Sequence, residues 1–235
     1  MALSKEQLVH QQILKWETEA RARREQTAVS PPPKAYPFVT ISREAGSFGT
    51  QAAAIVAQEL GWQCLDKEIV EYVARDAKVT ERLIDSLDEK AKGYVEAWMS
   101  SFLHKQHFES SDYLRHLAKV LRAFVQHEPA VIVGRGAHLI LSSLRDKGLA
   151  VRVTAPLEVR IKRYAKDQGV TEQEAAQRIR NTDRLRAQFF QSFLGRSFED
   201  MMQFDLVINT ERLDAQQTAN IILCAVRERG LDRLK

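Results

Sequence analysis

Short β-branched runs alternate with longer helical stretches along most of this 235-residue chain, and that alternation restricts its fold more than any other feature. Phe38-Val39-Thr40-Ile41-Ser42, residues 62–65, Ala130-Val131-Ile132-Val133, residues 149–154 and Leu206-Val207-Ile208-Asn209 each read as a strand. The third is apolar throughout, as in a parallel sheet covered on both faces. Between the strands lie helical patterns at residues 50–60 (Ala-rich and closed by Gly61), 68–126, 158–167, 172–193 and 215–229. The order predicts an α/β fold: a five-stranded parallel sheet, doubly wound, with helices on both faces.

Ligands of such sheets bind at the carboxyl ends of the strands. Four of those ends carry polar or glycine-rich residues here: Ser42-Arg43-Glu44, Asp66-Lys67, Gly134-Arg135 and Asn209-Thr210. The loop from Ser42 to Thr50 joins the first strand to the first core helix. Gly46, Ser47 and Gly49 would let backbone N–H groups curl around phosphate oxygens, and Thr50 or Ser47 could place a hydroxyl on Mg2+. The loop has no lysine and so is not a GxxxxGK[ST] motif; taken alone it also fits an ordinary tight turn. Glu44 and Asp66 are candidate acids for holding Mg2+ through water, and Asp66 could orient an accepting group through Lys67. Either acid also fits a helix cap or a local ion pair. In residues 178–186, Arg180 and Arg184 fall on one helix face, and Asp183 and Arg186 are three apart. Phosphoryl transfer needs positive charge around the moving group, often on a lid that excludes water. A solvated basic helix is the plainer reading of the same residues.

Residues 1–35 read as an appended segment. A charged helix with a partial apolar stripe (Leu3, Leu8, Ile13, Leu14, Trp16) runs to Arg21, Arg23 and Arg24, and Pro31-Pro32-Pro33 follows as an extended spacer. It could pack on the domain, self-associate or meet a protein partner. No apolar run is long enough to span a bilayer and no secretory pattern opens the chain, so a cytoplasmic location without membrane contact is expected. Cys64 and Cys224 are expected as buried free thiols, and the scattered histidines, His104 and His107 included, form no metal-ligand pattern. A net charge of +4 permits phosphate or nucleic-acid binding without requiring either. Nucleic acid is not favoured, because no recognised motif is present and Phe189-Phe190 reads as packing.

The loop Ser42-Arg43-Glu44-Ala45-Gly46-Ser47-Phe48-Gly49 resembles the S-R-E-x-G-S-G-G loop of the cytidylate kinase-like family of nucleoside monophosphate kinases. The likeness continues, in family order, through Leu65-Asp66-Lys67-Glu68-Ile69-Val70, Val131–Ala137, Ala155–Arg163, Asp183–Ala187 and Phe204–Thr210. It implies a P-loop NTPase fold over residues 36–235, with a helical acceptor-binding insert at 79–126 and a basic lid at 170–200. It also implies transfer of phosphate from ATP, with Mg2+, to a nucleoside monophosphate, CMP or dCMP being the family default. Arg43 then replaces the absent lysine. Arg180, Asp183, Arg184 and Arg186 become the lid's catalytic residues. Ser42, Glu44, Gly46, Ser47, Gly49, Thr50, Asn209 and Thr210 attend the nucleotide and its phosphates, and Asp66, Lys67 and Arg135 attend the acceptor. Two positions depart from the family pattern: Phe48 stands in place of a glycine, and Gly136 in place of the acid paired with the arginine at Arg135. A catalytically weak or silent nucleotide-binding regulatory module on the same fold is the alternative.

Overall fold

A computed structural model describes residues 4–25, 35–87, 91–93, 95–96 and 112–234. Trp98, Phe102 and Phe108 of the expected insert, and His104 and His107, lie outside these residues. The chain divides into two compact units, one formed by Met1–Tyr36 with Leu65–Pro129 and the other by Pro37–Cys64 with Ala130–Lys235.

The second unit carries the sheet. Strands β1 (Phe38–Arg43), β2 (Gln63–Leu65), β3 (Ala130–Val133), β4 (Gly148–Thr154) and β5 (Leu206–Asn209) are arranged in the order β2-β3-β1-β4-β5. β1 is paired in parallel with β3 and β4, and β4 with β5. The central strands bury nearly every side chain, which explains their mostly apolar sequence; β5, at the edge, is only partly covered. Helix α2 (Gly49–Leu60) packs against β3 and against the last long helix, Ala215–Glu228. Its small side chains Ala52, Ala53 and Ala57 allow close approach, and with Val39, Val151 and Ile222 they form the centre of the core.

The order reverses beside β1. After β1 the chain rejoins the sheet at β2, on the β3 side; after β4 it rejoins at β5, on the opposite side. The loops leaving β1 and β4 therefore diverge, and the crevice this opens is where doubly wound sheets hold ligands.

The first unit is helical: α1 (Lys5–Glu25), α3 (Lys67–Arg75), α4 (Ala77–Asp85) and α5 (Asp112–His127). Asp66 caps α3 by accepting from the Glu68 and Ile69 amides, both at 2.9 Å, and Asp76 caps α4 in the same way. The N-terminal helix is built into this unit. Val9, Ile13 and Trp16 are buried, Trp16 stacks on His127 at 4.2 Å, and the Arg82 guanidinium grips the Glu17 carboxylate with two 2.9 Å hydrogen bonds. Leu14, expected in the stripe, faces outward.

The cysteine expectation needs correction. Neither residue is in a disulfide, but Cys64 is half-buried and Cys224 is exposed on the outer face of its helix. Apolar periodicity marks an amphipathic helix but does not say on which side of the stripe a borderline residue falls. Among the described residues no helix is long and apolar enough to cross a membrane, and no cluster of metal-ligating side chains occurs.

Candidate active site

The segment after β1 is held in shape from below. Ser47 is fully buried, and its hydroxyl lies 2.9 Å from the Glu44 carbonyl and 3.2 Å from that of Val153. Gly46 has φ +78°, and a Cβ there would come within 2.5 Å of the Arg160 carbonyl oxygen. Phe48 takes the left-handed conformation, φ 63°, as the residue before α2, a geometry costing roughly 1–2 kcal/mol for a side-chain-bearing residue. Phe48, at the N-cap of α2, makes no side-chain hydrogen bond to the first N–H groups of this helix.

At the mouth of the loop, Arg43 folds back so that its Nε donates to Thr50 Oγ1 at 3.3 Å. The Arg43 guanidinium fills the space beside Gly134, where any Cβ would meet its Nη1. In GxxxxGK[ST] the lysine precedes the hydroxyl residue; with Thr50 as that residue, the lysine position is Gly49. A Cβ on Gly49 would lie 2.5 Å from Arg43 Cβ, so the stem of Arg43 occupies the room a side chain would need there.

Behind the loop lies a charged network. The Glu44 carboxylate accepts from Arg152 Nη2 at 3.0 Å and Thr154 Oγ1 at 2.6 Å, and lies 3.3 Å from Arg160 Nε. Arg152, 1% exposed in the middle of β4, also donates to Ser42 Oγ at 3.2 Å and lies 3.8 Å from the Phe198 ring centroid. Beyond the short helix α6 (Ala137–Ile140), helix α7 (Leu157–Gln168) supplies Arg160, which reaches Asp183 Oδ2 at 2.8 Å on helix α8 (Glu172–Leu194); Arg186 lies 3.5 Å from the other Asp183 oxygen. Burial lowers the pKa of Arg186, Asp183 and Glu44 raise it, and the charges of Arg160 and Arg135 lower it further. Arg152 is also lowered, chiefly by burial, against the attraction of Glu44.

These contacts sort the expected residues. Ser42, Glu44, Asp183 and Arg186 meet in one network, and Arg43, Gly49 and Thr50 meet at the loop mouth. Arg135, with φ 54°, sits beyond β3 with its guanidinium 5.9 Å from the Phe189 ring. Arg180 and Arg184 do share a face, but it is the solvent side of α8, where they line an open pocket with Gln177, Arg178 and Asn181. The Thr210 hydroxyl is buried against the Ser47 carbonyl at 3.0 Å, while Asn209 Oδ1 accepts from the Glu211 amide. Asp66 and Lys67 open α3 in the helical unit.

Arg152, Arg160 and Arg163 were missed as site residues. Their sequence context held a clue: a lone arginine in the apolar run Leu149-Ala150-Val151-Arg152-Val153 must find a buried partner. A cation at Arg160, in the opening turns of a helix, opposes the helix dipole unless it is paired.

A glycine loop at the reversal point of a parallel sheet, with guanidinium groups gathered behind it, defines a P-loop-type α/β protein. The chain belongs to the cytidylate kinase-like family, whose model matches residues 38–212. It is 35% identical over 92 residues to a cytidylate kinase of Staphylothermus marinus, a match covering 39% of this chain and 51% of that protein. Against a cytidylate kinase of Methanothermobacter thermautotrophicus the identity is 24% over 181 residues, covering 76% of this chain and 98% of the relative. The chain thus spans about half the length of the first of these relatives. A crystal structure of an uncharacterized protein from Eubacterium ventriosum has a similar fold, with a TM-score of 0.57 at 21% identity over 81% of this chain and 98% of that one.

Proposed function

We propose that the protein is a nucleotide kinase that transfers a phosphoryl group from ATP to a nucleoside monophosphate, with CMP or dCMP as the family's default acceptor. The observation that carries this reading is the uncapped start of α2 beside a guanidinium folded back onto Thr50. Backbone N–H groups, the helix dipole and Arg43 converge where a chain of phosphates would lie.

The residues fit ATP with Mg2+. Thr50 offers an exposed hydroxyl, whereas that of Ser47 is turned inward. The Glu44 carboxylate is committed to Arg152, Thr154 and Arg160, so it acts as an anchor for these groups rather than as a metal ligand. Mg2+ would be met by Thr50 and by the nucleotide's own oxygens. When bound, it neutralises charge on the transferring phosphate. Arg43 orients the phosphate chain, and Arg186, held by Asp183, brings a second cation toward it. Arg180 and Arg184 reach the phosphates only if α8 moves, as a lid would. Asp66, Lys67 and Arg135 remain the proposed acceptor contacts.

ATP consumption with Mg2+ against a panel of ribo- and deoxynucleoside monophosphates tests the reading. Turnover with one acceptor, reduced about 100-fold or more in Arg43→Ala, is expected. ATP binding without turnover on any acceptor would sink it and favour the silent regulatory module.

A further inference from the structure

Phe48 is the loop residue with the least obvious reason to be there. Its backbone has φ 63° and ψ 1°, a conformation glycine adopts freely and phenylalanine does not. Its ring is half-buried, and the Arg163 guanidinium lies 4.2 Å from its centroid. Arg163 comes from α7, and its remaining donors are engaged in the turn after β5. Nη2 reaches the carbonyl of Thr210 at 2.7 Å, that of Glu211 at 3.3 Å and that of Leu213 at 3.4 Å, while Nη1 donates to Thr210 Oγ1 at 3.2 Å. The Thr210 hydroxyl in turn lies 3.0 Å from the Ser47 carbonyl.

The peptide between Ser47 and Phe48 is therefore gripped from two sides. Thr210 holds the Ser47 carbonyl, and Arg163 covers the Phe48 ring. The Phe48 carbonyl accepts from the Ala52 amide at 2.8 Å, so its dihedrals set the direction in which α2 presents its first N–H groups. We propose that Phe48 and Arg163 form a lock that fixes the shape of the phosphate loop, and that Phe48 is thereby a positioning residue for the donor's phosphates. The effect on the donor rests on the kinase reading; the lock itself does not.

The test uses the full chain with Phe48→Gly, Phe48→Trp, Arg163→Met and the double variant Phe48→Gly/Arg163→Met. Hydrogen exchange without ligand reads the lock, and the affinities for inorganic tripolyphosphate and for ATP read its consequence. Phe48→Gly and Arg163→Met are each expected to speed exchange at residues 44–50. Each should weaken tripolyphosphate and ATP by the same factor, about tenfold, and the double variant should be no worse than either, as for two groups acting as one unit. Phe48→Gly should not lower the melting temperature, since it removes a strained conformation, and Phe48→Trp should keep both properties. Unchanged loop exchange in Phe48→Gly and Arg163→Met would overturn the lock. Loss of ATP affinity with tripolyphosphate affinity intact would overturn the positioning role, because the ring would then be touching the base. If the unaltered protein binds neither probe, the kinase reading fails, while the exchange data still decide the lock.

Discussion

Two residues, Glu44 and His138, show how charge is balanced around the core. Glu44 holds three partners behind the loop, so Glu44→Gln should cost about 2–4 kcal/mol in a denaturant melt, through the uncompensated guanidinium groups it leaves. Mg2+ affinity in the nucleotide complex should stay unchanged in that variant; a loss would restore the metal-ligand reading. His138 is the second. It lies against the Phe204 and Phe190 rings, and burial, outweighing its contact with Gln203, pushes its pKa down to about 4. The unfolded chain takes up a proton near pH 6.5 while the folded one resists. Stability is therefore complete above that pH and falls toward pH 4, by about 3 kcal/mol in all. His138→Phe should flatten that acid limb in melts taken between pH 4 and 7. What the sequence hides at this scale is partnership. Ser42 and Arg152 are 110 positions apart, and only the parallel register of β1 with β4 sets them side by side. Strand runs were visible because burial on both faces demands mostly apolar residues. The direction of a polar side chain at a strand end obeys no such rule, and so Thr210 turned inward.

Among the elements, α8 divides its labour by face. Asp183 and Arg186 look toward Arg160, whereas Arg180 and Arg184 look to solvent. Its far end is tied down by Phe190, which packs edge-on against Phe198 with ring centroids 5.0 Å apart, and its near end by a capping box between Thr171 and Glu174. Thr171→Ala should cost about 1 kcal/mol of stability, measured by urea melts. The double change Arg180→Ala/Arg184→Ala should leave those melts unmoved and slow turnover; a stability loss instead would mean the two arginines are structural. The basic character of this helix was legible in sequence. Its division into an inner and an outer face was not, because Asp183 and Arg186 differ from their neighbours only in where Arg160 happens to stand.

For the molecule as a whole, Met1–Tyr36 group with Leu65–Pro129 in one compact unit. Periodicity revealed the stripe on α1 and could not name its partner. Trp16, 3% exposed between Phe124 and His127, should cost about 3–5 kcal/mol when changed to alanine. Hydrogen exchange should then show protection lost across α3–α5 and retained in β1, β3 and β4. Uniform loss would mean that the two units unfold as one.

The position of α1 ahead of the sheet sets a problem for the ribosome. Trp16 leaves the exit tunnel roughly a hundred residues before Phe124 and His127, a wait of order 5–20 s at ordinary elongation rates. During that interval α3 and α4 emerge and offer α1 part of its surface, but Trp16 still lacks the Phe124 and His127 rings that cover it. A nascent chain of this design offers a hydrophobic handle to any chaperone stationed at the tunnel, and its last piece, the Trp16 ring, is withdrawn only when α5 has been made.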